Sequence, residues 1–218
     1  MTSLSVTTQD ALCEFFGISL SAGETYPLTI ADGDRDKLAA FFGHVGFTNG
    51  AEVGVESGRF AQTLCKSNPG LHLYCVDAWL SYGAYRQHVS QARTEWMLER
   101  ARERLSGYSY TIIRKFSVEA AEDIEDGSLD FVYIDANHAY EHVVADIAAW
   151  LPKVRSGGII SGHDYAHWTL SGMPCGVVEA VNGWTRDHQI TPWFLLGHKG
   201  VAPGDHRPRP QSWLWVKD

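Results

Sequence analysis

The chain has 218 residues, of which 44% are hydrophobic and 20% charged, so it can bury a sizeable α/β core and is not a disordered chain. Its net charge of -8 argues against nucleic acid as the main partner, because phosphate binding needs clustered Lys and Arg. The four cysteines are widely spaced without a C-x-x-C pair, and the apolar stretch at 11–20 is short and interrupted by Glu14. These features predict a cytoplasmic protein without a signal peptide or membrane span.

Strands and helices alternate along most of the chain. Residues 1–33 are predicted to be an N-terminal extension and 34–218 a single domain, whose first helix is capped by Asp34. Strands are predicted at 50–55, 71–79, 110–116, 128–136 and 157–164, with helices between them. "TPWFLLG" and "SWLWVK" read as two further strands that pair antiparallel. This alternation predicts a parallel sheet covered by helices on both faces.

A long amphipathic helix is predicted over about residues 83–105. Tyr85, Val89, Ala92 and Trp96 recur at helical spacing and are predicted to form its buried face.

A glycine turn follows the first predicted strand. It has the spacing Glu52-x-Gly54-x-x-x-Gly58, and a helix begins after it. Ligands of open parallel sheets bind beyond the C-terminal ends of the strands, where small residues let the backbone approach them. Asp77 ends the second strand, and its carboxylate can accept hydrogen bonds from both hydroxyls of a ribose. The pattern therefore predicts a nucleoside-containing ligand, with a purely structural turn as the alternative.

Two cofactor classes share a glycine turn followed by an acid. A nicotinamide site needs G-x-G-x-x-G, but position 56 is Glu where a glycine belongs. A negative charge there would oppose a pyrophosphate, whereas it is compatible with the sulfonium and ammonium groups of S-adenosylmethionine. The turn thus favours the second cofactor.

"AEVGVESGRFAQTL" and "LYCVDAW" resemble the first two motifs of class I S-adenosylmethionine-dependent methyltransferases. The resemblance is to the branch with E-x-G-x-x-x-G, which includes catechol-type and sugar O-methyltransferases. It continues through "DGSLDFVYIDANHAYEHVVADIAAWLPKVRSGGIISGHDY", which resembles the fourth and fifth motifs, and "GVVEAV", which resembles the sixth helix. It implies a Rossmann-like, doubly wound, mostly parallel seven-stranded sheet of order 3-2-1-4-5-7-6, with strand seven antiparallel.

The resemblance also implies roles for individual residues. The glycine turn would line the methionine end of the cofactor, Asp77 the ribose, and the segment after the third strand the adenine, while Asp135 would face the methyl-transfer position. The cofactor-binding residues expected on this basis are Glu52, Gly54, Val55, Gly58, Asp77, Ala78, Ser117, Val118, Glu119 and Asp135.

Two polar clusters sit at the ends of neighbouring strands, Asp135-Ala136-Asn137-His138 and His163-Asp164-Tyr165. In metal-dependent O-methyltransferases these positions bind magnesium, so the resemblance implies the metal ligands Asp135, His163 and Asp164. His163 departs from that pattern, since Mg prefers oxygen ligands and a nitrogen ligand suits Mn, Fe or Zn better. Either a softer metal binds, or no metal binds and His163 is a base.

His138 follows Asp135 by three residues and is predicted to be the general base that deprotonates a substrate hydroxyl. The catalytic residues expected are therefore His138, Asp135 and His163. His142 and Asp146, on the next helix, are predicted to face outward.

Other aromatic residues are assigned to pocket walls, with plain core packing as the alternative. Tyr165 and Trp168 would wall the acceptor pocket, and Trp79 and Tyr82 would cover the adenosine.

The sequence as a whole predicts an S-adenosylmethionine-dependent methyltransferase that acts on a hydroxyl of a small molecule such as a sugar, a phenol or a polyketide. An NAD(P)-dependent oxidoreductase and a non-catalytic binding protein of the same fold are the alternatives. A small-molecule acceptor is expected rather than nucleic acid or a membrane, and a homo-oligomer is left open.

Overall fold

The computed structural model describes residues 6–81, 89–170, 173–198 and 210–218. Within these ranges the helices are α1 (Thr8–Phe16), α2 (Arg35–His44), α3 (Arg59–Ser67), α4 (Gln91–Leu105), α5 (Ser117–Ala121), α6 (Tyr140–Trp150) and α7 (Val177–Asp187), with a 3-10 turn at Leu151–Lys153. The strands are β1 (Leu28–Ile30), β2 (Asn49–Val53), β3 (His72–Val76), β4 (Ser109–Ile113), β5 (Leu129–Ile134), β6 (Val154–Tyr165), β7 (Thr169–Leu170), β8 (Met173–Pro174), β9 (Phe194–Leu196) and β10 (Gln211–Val216).

One mostly parallel sheet organises the described chain, in the order β1-β9-β10-β6-β5-β2-β3-β4. Strands β2 to β6 pair in parallel, and β10 runs antiparallel to both β6 and β9. The fold class expected from the sequence is confirmed, including the antiparallel C-terminal strand. With β1 set aside, the order is the expected 3-2-1-4-5-7-6.

The sheet has eight strands rather than the seven expected. The extra strand, β1, lies in the segment predicted as an N-terminal extension and pairs parallel with β9, Leu28 opposite Phe194. It is three residues long, so no period-2 pattern could develop in the sequence. Ile30 of this strand is buried, and the strand covers the open edge of β9.

Helices cover both faces of the sheet, and each face has its own hydrophobic core. Residues of α1 to α4 form one core with one side of the strands, where Phe42 and Phe131 stack with ring centroids 4.1 Å apart. Residues of α5 to α7 form the other, centred on Ile147 and Trp150. None of the described helices has both the length and the apolar run that a bilayer crossing requires.

Helix α4 buries a different face from the one predicted. Trp96 was expected inside, but it is 42% exposed and lies between the guanidinium groups of Arg93 and Arg100, at 3.9 and 5.4 Å from its ring centroid. Ala92 is exposed as well, and Tyr85 lies outside the described residues. Cation–π contacts satisfy an indole at the surface, so an aromatic residue is a poor marker of the buried face here. The buried face is formed by Thr94, Met97, Leu98, Ala101 and Leu105.

The start of α2 is fixed as the sequence predicted. The side chain of Asp34 accepts a hydrogen bond from the Lys37 backbone N–H at 2.7 Å, which is an N-cap. The next residue, Arg35, is thereby held in the first turn, where its side chain reaches Asp135.

Candidate functional site

Loops at the C-terminal edge of β2, β3, β4 and β5 enclose a cavity of about 480 Å³. This volume falls within the range of pockets that hold small molecules and cofactors. Residues from α4 and α6 close its sides. The lining residues are Val53, Gly54, Val76, Asp77, Ala78, Trp79, Leu80, Thr94, Met97, Lys115, Phe116, Ser117, Val118, Asp135, Ala136, Asn137, His142 and Asp146.

The two glycines of the turn have different structural roles. Gly54 has φ +98°, and a Cβ there would collide with the backbone carbonyl of Asp135, so the ends of β2 and β5 approach more closely than a side chain allows. Gly58 begins α3 at φ +75°, and a Cβ there would lie 2.8 Å from the Cα of Ala101 on α4. Gly54 therefore shapes the cavity, whereas Gly58 lets α3 pack against α4.

Asp77 holds two of the cavity loops together. Its Oδ2 accepts a hydrogen bond from the Glu56 backbone N–H at 2.9 Å, and its Oδ1 accepts one from the Trp79 N–H at 2.8 Å. The Trp79 indole N–H in turn donates to the Glu56 carbonyl at 2.7 Å. Both Glu56 and Trp79 have positive φ, a conformation that non-glycine residues adopt only when their surroundings impose it.

The structure brings six of the ten expected cofactor residues to the cavity wall: Gly54, Asp77, Ala78, Ser117, Val118 and Asp135. The other four lie elsewhere. Val55 is buried in the core, Gly58 lies against α4, Glu119 is exposed on α5, and Glu52 is buried within β2.

Glu52 lies beneath the turn and is 2% exposed. Its Oε2 has no hydrogen-bond partner in the part of the chain that the structure describes. Burial raises the pKa of Glu52 well above its ordinary value, and the nearby charge of Asp135 raises it further. Burial therefore favours the neutral form of this carboxyl group.

A polar cluster of Asp135, His138 and Asp164 stands beside the cavity. Nε2 of His138 lies 2.9 Å from Oδ2 of Asp164 and 3.5 Å from Oδ1 of Asp135. Burial by itself would lower the pKa of His138, but its hydrogen bonds to Asp135 and Asp164 and their charges outweigh burial and raise it to about 9. Burial would likewise raise the pKa of Asp164, yet hydrogen bonds from His138 and His163 hold it well below its usual range.

One ligand atom from each of these three side chains lies within 4.8 Å of the ligand atoms of the other two. Among the described residues, this is the group that could hold a metal ion. The expected metal ligands Asp135 and Asp164 belong to this group, and His138 takes the third place. His163, the expected third ligand, lies next to the group with Nδ1 3.4 Å from Oδ2 of Asp164. Asp164 has φ +57° and is, with Glu56 and Trp79, the third non-glycine residue of positive φ at this edge of the sheet.

Arg35 was missed by the sequence analysis. Its Nη1 lies 3.7 Å from Oδ2 of Asp135, and its guanidinium group lies 5.2 Å from the ring centroid of Phe60. The sequence offered one signal, the N-cap residue Asp34, which predicts where α2 begins. It does not predict that the first turn of α2 lies next to Asp135.

His142 and Asp146 were predicted to face outward, which is wrong for the buried Asp146 but agrees with the exposed side chain of His142. Both line the cavity, and Asp146 is only 4% exposed. They are spaced i, i+4, so one face of α6 carries both, with Asp146 buried in the cavity wall and His142 exposed at it.

The aromatic residues assigned to pocket walls have mixed positions. Trp79 lines the cavity and is 2% exposed. The Trp168 ring meets the His138 ring edge to face at 5.3 Å, beside the polar cluster. The Tyr165 hydroxyl donates to Asn182 on α7 at 2.9 Å. Tyr82 lies outside the described residues.

Residues 51–165, which contain the turn, the cavity loops and the polar cluster, match a family model described as a methyltransferase domain. The chain belongs to this methyltransferase family. This family assignment agrees with the class that the motifs around Gly54, Asp77 and Asp135 predicted.

Solved methyltransferases share the fold. An O-methyltransferase from Bacillus cereus, solved in complex with S-adenosylhomocysteine, is 15% identical and superposes with a TM-score of 0.57, covering 100% of this chain and 93% of that one. The O-methyltransferase TomG from Streptomyces achromogenes, involved in tomaymycin synthesis and solved with S-adenosylmethionine, is 13% identical with a TM-score of 0.59, covering 100% of this chain and 94% of that one.

A curated sequence is also similar, the uncharacterized protein y4gI from Sinorhizobium fredii. It is 27% identical over 121 residues, which are 53% of this chain and 12% of that protein. The match thus spans about an eighth of the length of this relative.

Proposed function

We propose that this methyltransferase transfers its methyl group to a hydroxyl oxygen of a small molecule, next to a divalent cation held by Asp135, His138 and Asp164. The observation that carries the proposal is the position of Asp135. It lines the cofactor-sized cavity on one side and belongs to the polar cluster on the other. One residue therefore joins the place of the methyl donor to the place where an acceptor can be activated.

The chain's residues suit the proposed cofactor. When bound, S-adenosylmethionine supplies a methyl group on a positively charged sulfur. The carboxylates of Asp77 and Asp135 line the cavity and favour a cation, while the close backbone approach at Gly54 leaves room for the ligand over the strand ends. We infer that Asp77 binds the ribose hydroxyls, and that Arg35, on the other side of Asp135, binds the methionine carboxylate.

The donor set of the polar cluster suits a divalent cation. Two carboxylates and one imidazole favour manganese over magnesium, which prefers oxygen ligands alone. A cation at this place would make an acceptor hydroxyl more acidic and hold it in line with the methyl group. His163, beside Asp164, would then receive the hydroxyl proton.

The two alternatives are less well supported. For a nicotinamide cofactor, Glu56 stands at positive φ in the turn that a pyrophosphate would have to approach. A non-catalytic binding protein would have no use for the half-buried Asp135–His138–Asp164 cluster at the edge of the cavity.

Calorimetry with S-adenosylmethionine, S-adenosylhomocysteine, NAD and NADP tests the cofactor. We expect heat from the first two ligands, and heat from NAD or NADP alone would discard the assignment. Transfer of labelled methyl groups to a panel of sugars, phenols and polyketides tests the acceptor. Transfer only to amines or to nucleic acid would overturn the oxygen-directed proposal.

Metal dependence is tested by stripping the enzyme with EDTA and adding back Mn²⁺ or Mg²⁺. We expect activity to be lost and then restored, with Mn²⁺ more effective. Asp164→Asn should lower turnover at least about 100-fold, since it changes a ligand. The exposed carboxylate of Asp126, which pairs with Lys153, provides the control variant Asp126→Asn, which should be as active as the wild type. Full activity of the stripped enzyme would exclude the metal and leave His163 as the base, because His138, with its pKa raised to about 9, keeps its proton near neutral pH.

We also infer that the protein works in a reducing compartment such as the cytoplasm. All four cysteines are free thiols, and three of them are buried.

A further inference from the structure

Asp146 is a buried carboxyl group that the proposed reaction does not use. It projects from the second turn of α6 into the cavity and is 4% exposed. The Ser117 side chain forms a hydrogen bond with it, and the Ser117 hydroxyl oxygen also accepts one from the Trp150 indole N–H at 3.0 Å. A single hydroxyl partner uses only part of the hydrogen-bonding capacity of a buried carboxyl group, so its position in a ligand cavity suggests a ligand contact.

The order of the strands places the adenine ring near Asp146. The polar cluster, where the methyl group must lie, is at the ends of β5 and β6, and Asp77 is at the end of β3. A ligand with its sulfur near Asp135 and its ribose near Asp77 extends its base toward the loop after β4. There the cavity is walled by Phe116, Ser117 and Val118, and by α6 with Asp146.

We propose that the Asp146 carboxyl group pairs with the N1 and 6-amino edge of adenine and is the residue that selects an adenine nucleoside. This inference rests on the cofactor assignment made above. A neutral carboxyl group matches that edge with two hydrogen bonds. Its O–H donates to N1 and its C=O accepts from the 6-amino group. An ionised carboxylate has no proton to donate and can make only the second bond.

The protonation of Asp146 agrees with this pairing. Burial raises the pKa of Asp146, and the hydrogen bond from Ser117 lowers it by a smaller amount, which leaves it at about 7. The neutral form is therefore well populated near neutral pH. The other titratable groups lining the cavity are Asp77, Lys115, Asp135 and His142. On the elements packed around α6, Lys115–Asp123, Lys153–Asp126, Glu179–His167 and Arg186–Asp187 form ion pairs, and Glu119 of α5 is exposed to solvent.

Calorimetry of S-adenosylhomocysteine binding at two pH values tests the neutral form. With a pKa of about 7 the neutral fraction falls about tenfold between pH 6 and pH 8, and because the ionised form keeps one hydrogen bond and binds about tenfold more weakly, the affinity of the wild type should fall about fivefold. Asp146→Asn presents an amide N–H to N1 and a carbonyl to the 6-amino group at every pH. It should keep the affinity that the wild type has at pH 6 and lose the pH dependence. His142→Gln is the control for the histidine of the same cavity, and it should retain the dependence.

Ligand analogues separate a direct contact from a merely structural role. The 1-deaza analogue of S-adenosylhomocysteine lacks the N1 acceptor, and the wild type should bind it about tenfold more weakly than the parent compound. In Asp146→Ala this ratio should fall to about one, as in a double-mutant cycle. The 7-deaza analogue, altered on the other edge of the base, should show the same ratio to the parent compound in both proteins.

Two results would overturn the proposal. One is a ratio of affinities for the parent compound and the 1-deaza analogue that is the same in Asp146→Ala as in the wild type. The other is a pH dependence of binding that persists in Asp146→Asn. The second result decides the question if the alanine variant does not fold. Absence of any S-adenosylhomocysteine binding by the wild type would instead reject the cofactor assignment.

Discussion

Replacement of Gly54 by alanine tests whether the close approach of β2 and β5 builds the site. Gly54 has φ +98°, and its added Cβ would meet the carbonyl group of Asp135 and the backbone nitrogen of Ala136. Gly107 is a matched control, because it has φ +94° and the described residues place nothing within 4 Å of its added Cβ. Both variants place an alanine at nearly the same positive φ and so carry similar backbone strain. They differ in the collision of the added Cβ with neighbouring atoms, which only Gly54→Ala suffers.

The expected losses follow from these two terms. Positive φ destabilises an alanine by about 1–2 kcal/mol, which should be nearly the whole loss in Gly107→Ala. Overpacking against a rigid backbone adds about 1–3 kcal/mol, so Gly54→Ala should lose about 2–5 kcal/mol. Urea unfolding followed by circular dichroism gives both free energies of unfolding. Calorimetry should show that Gly54→Ala, but not Gly107→Ala, binds S-adenosylhomocysteine more weakly. Equal losses of stability, or unchanged binding in Gly54→Ala, would refute the reasoning.

Three further variants probe the residues around the cavity. Asp34→Ala removes the N-cap of α2 and should lower the free energy of unfolding by about 1 kcal/mol in urea titrations, and no change would mean that the cap is unimportant. Trp79→Phe removes the indole donor to Glu56; we expect a loss of about 1 kcal/mol and weaker cofactor binding by calorimetry, and wild-type affinity would contradict the loop's role. The difference in free energy of unfolding between Glu52→Gln and the wild type should favour the variant more at pH 8 than at pH 4. The pKa of Glu52 is raised in the folded state, so the unfolded chain releases the proton first and the wild type loses stability as pH rises above about 4.5. A parallel pH dependence in thermal melts of both proteins would show that Glu52 is not neutral when folded.

The central sheet could be predicted because its signal is local. Strands β2, β3 and β5 and the middle of β6 are largely buried on both faces, so each reads as a short apolar run, and polar or glycine residues end it. The predicted and observed bounds differ by a few residues, as at β6, which begins at Val154 rather than at residue 157. Asp77 and Asp135 could be placed for the same reason, since a carboxylate directly after such a run must lie at the edge of the sheet.

What the sequence did not predict depends on contacts between distant segments. The pairing of β1 with β9 joins residues more than 160 positions apart, and three residues carry too little pattern to reveal it. The inward position of Asp146 depends on the packing of α6 against α5. The apolar pattern of α6 does not reveal it, because that pattern is equally compatible with Asp146 on the outer face of the helix. The polar cluster shows the same limit. His138 follows the end of β5 and His163 lies near the end of β6, and only the folded path of the chain decides that His138 rather than His163 lies between the two carboxylates.

Asp77 shows why a correctly predicted residue can still have an unpredicted role. The sequence indicates a carboxylate at a strand end that is suited to a ribose, but the structure also uses it to hold the backbones of Glu56 and Trp79 in positive-φ conformations. Those conformations are unfavourable by about 1–3 kcal/mol each, and hydrogen bonds to a charged acceptor offset that strain before any ligand arrives. The loops that line the cavity are therefore preorganised by the same group that would bind the ribose. An Asp77 variant would change the shape of the cavity together with the ligand contact, so its affinity loss would exceed the value of one ribose hydrogen bond.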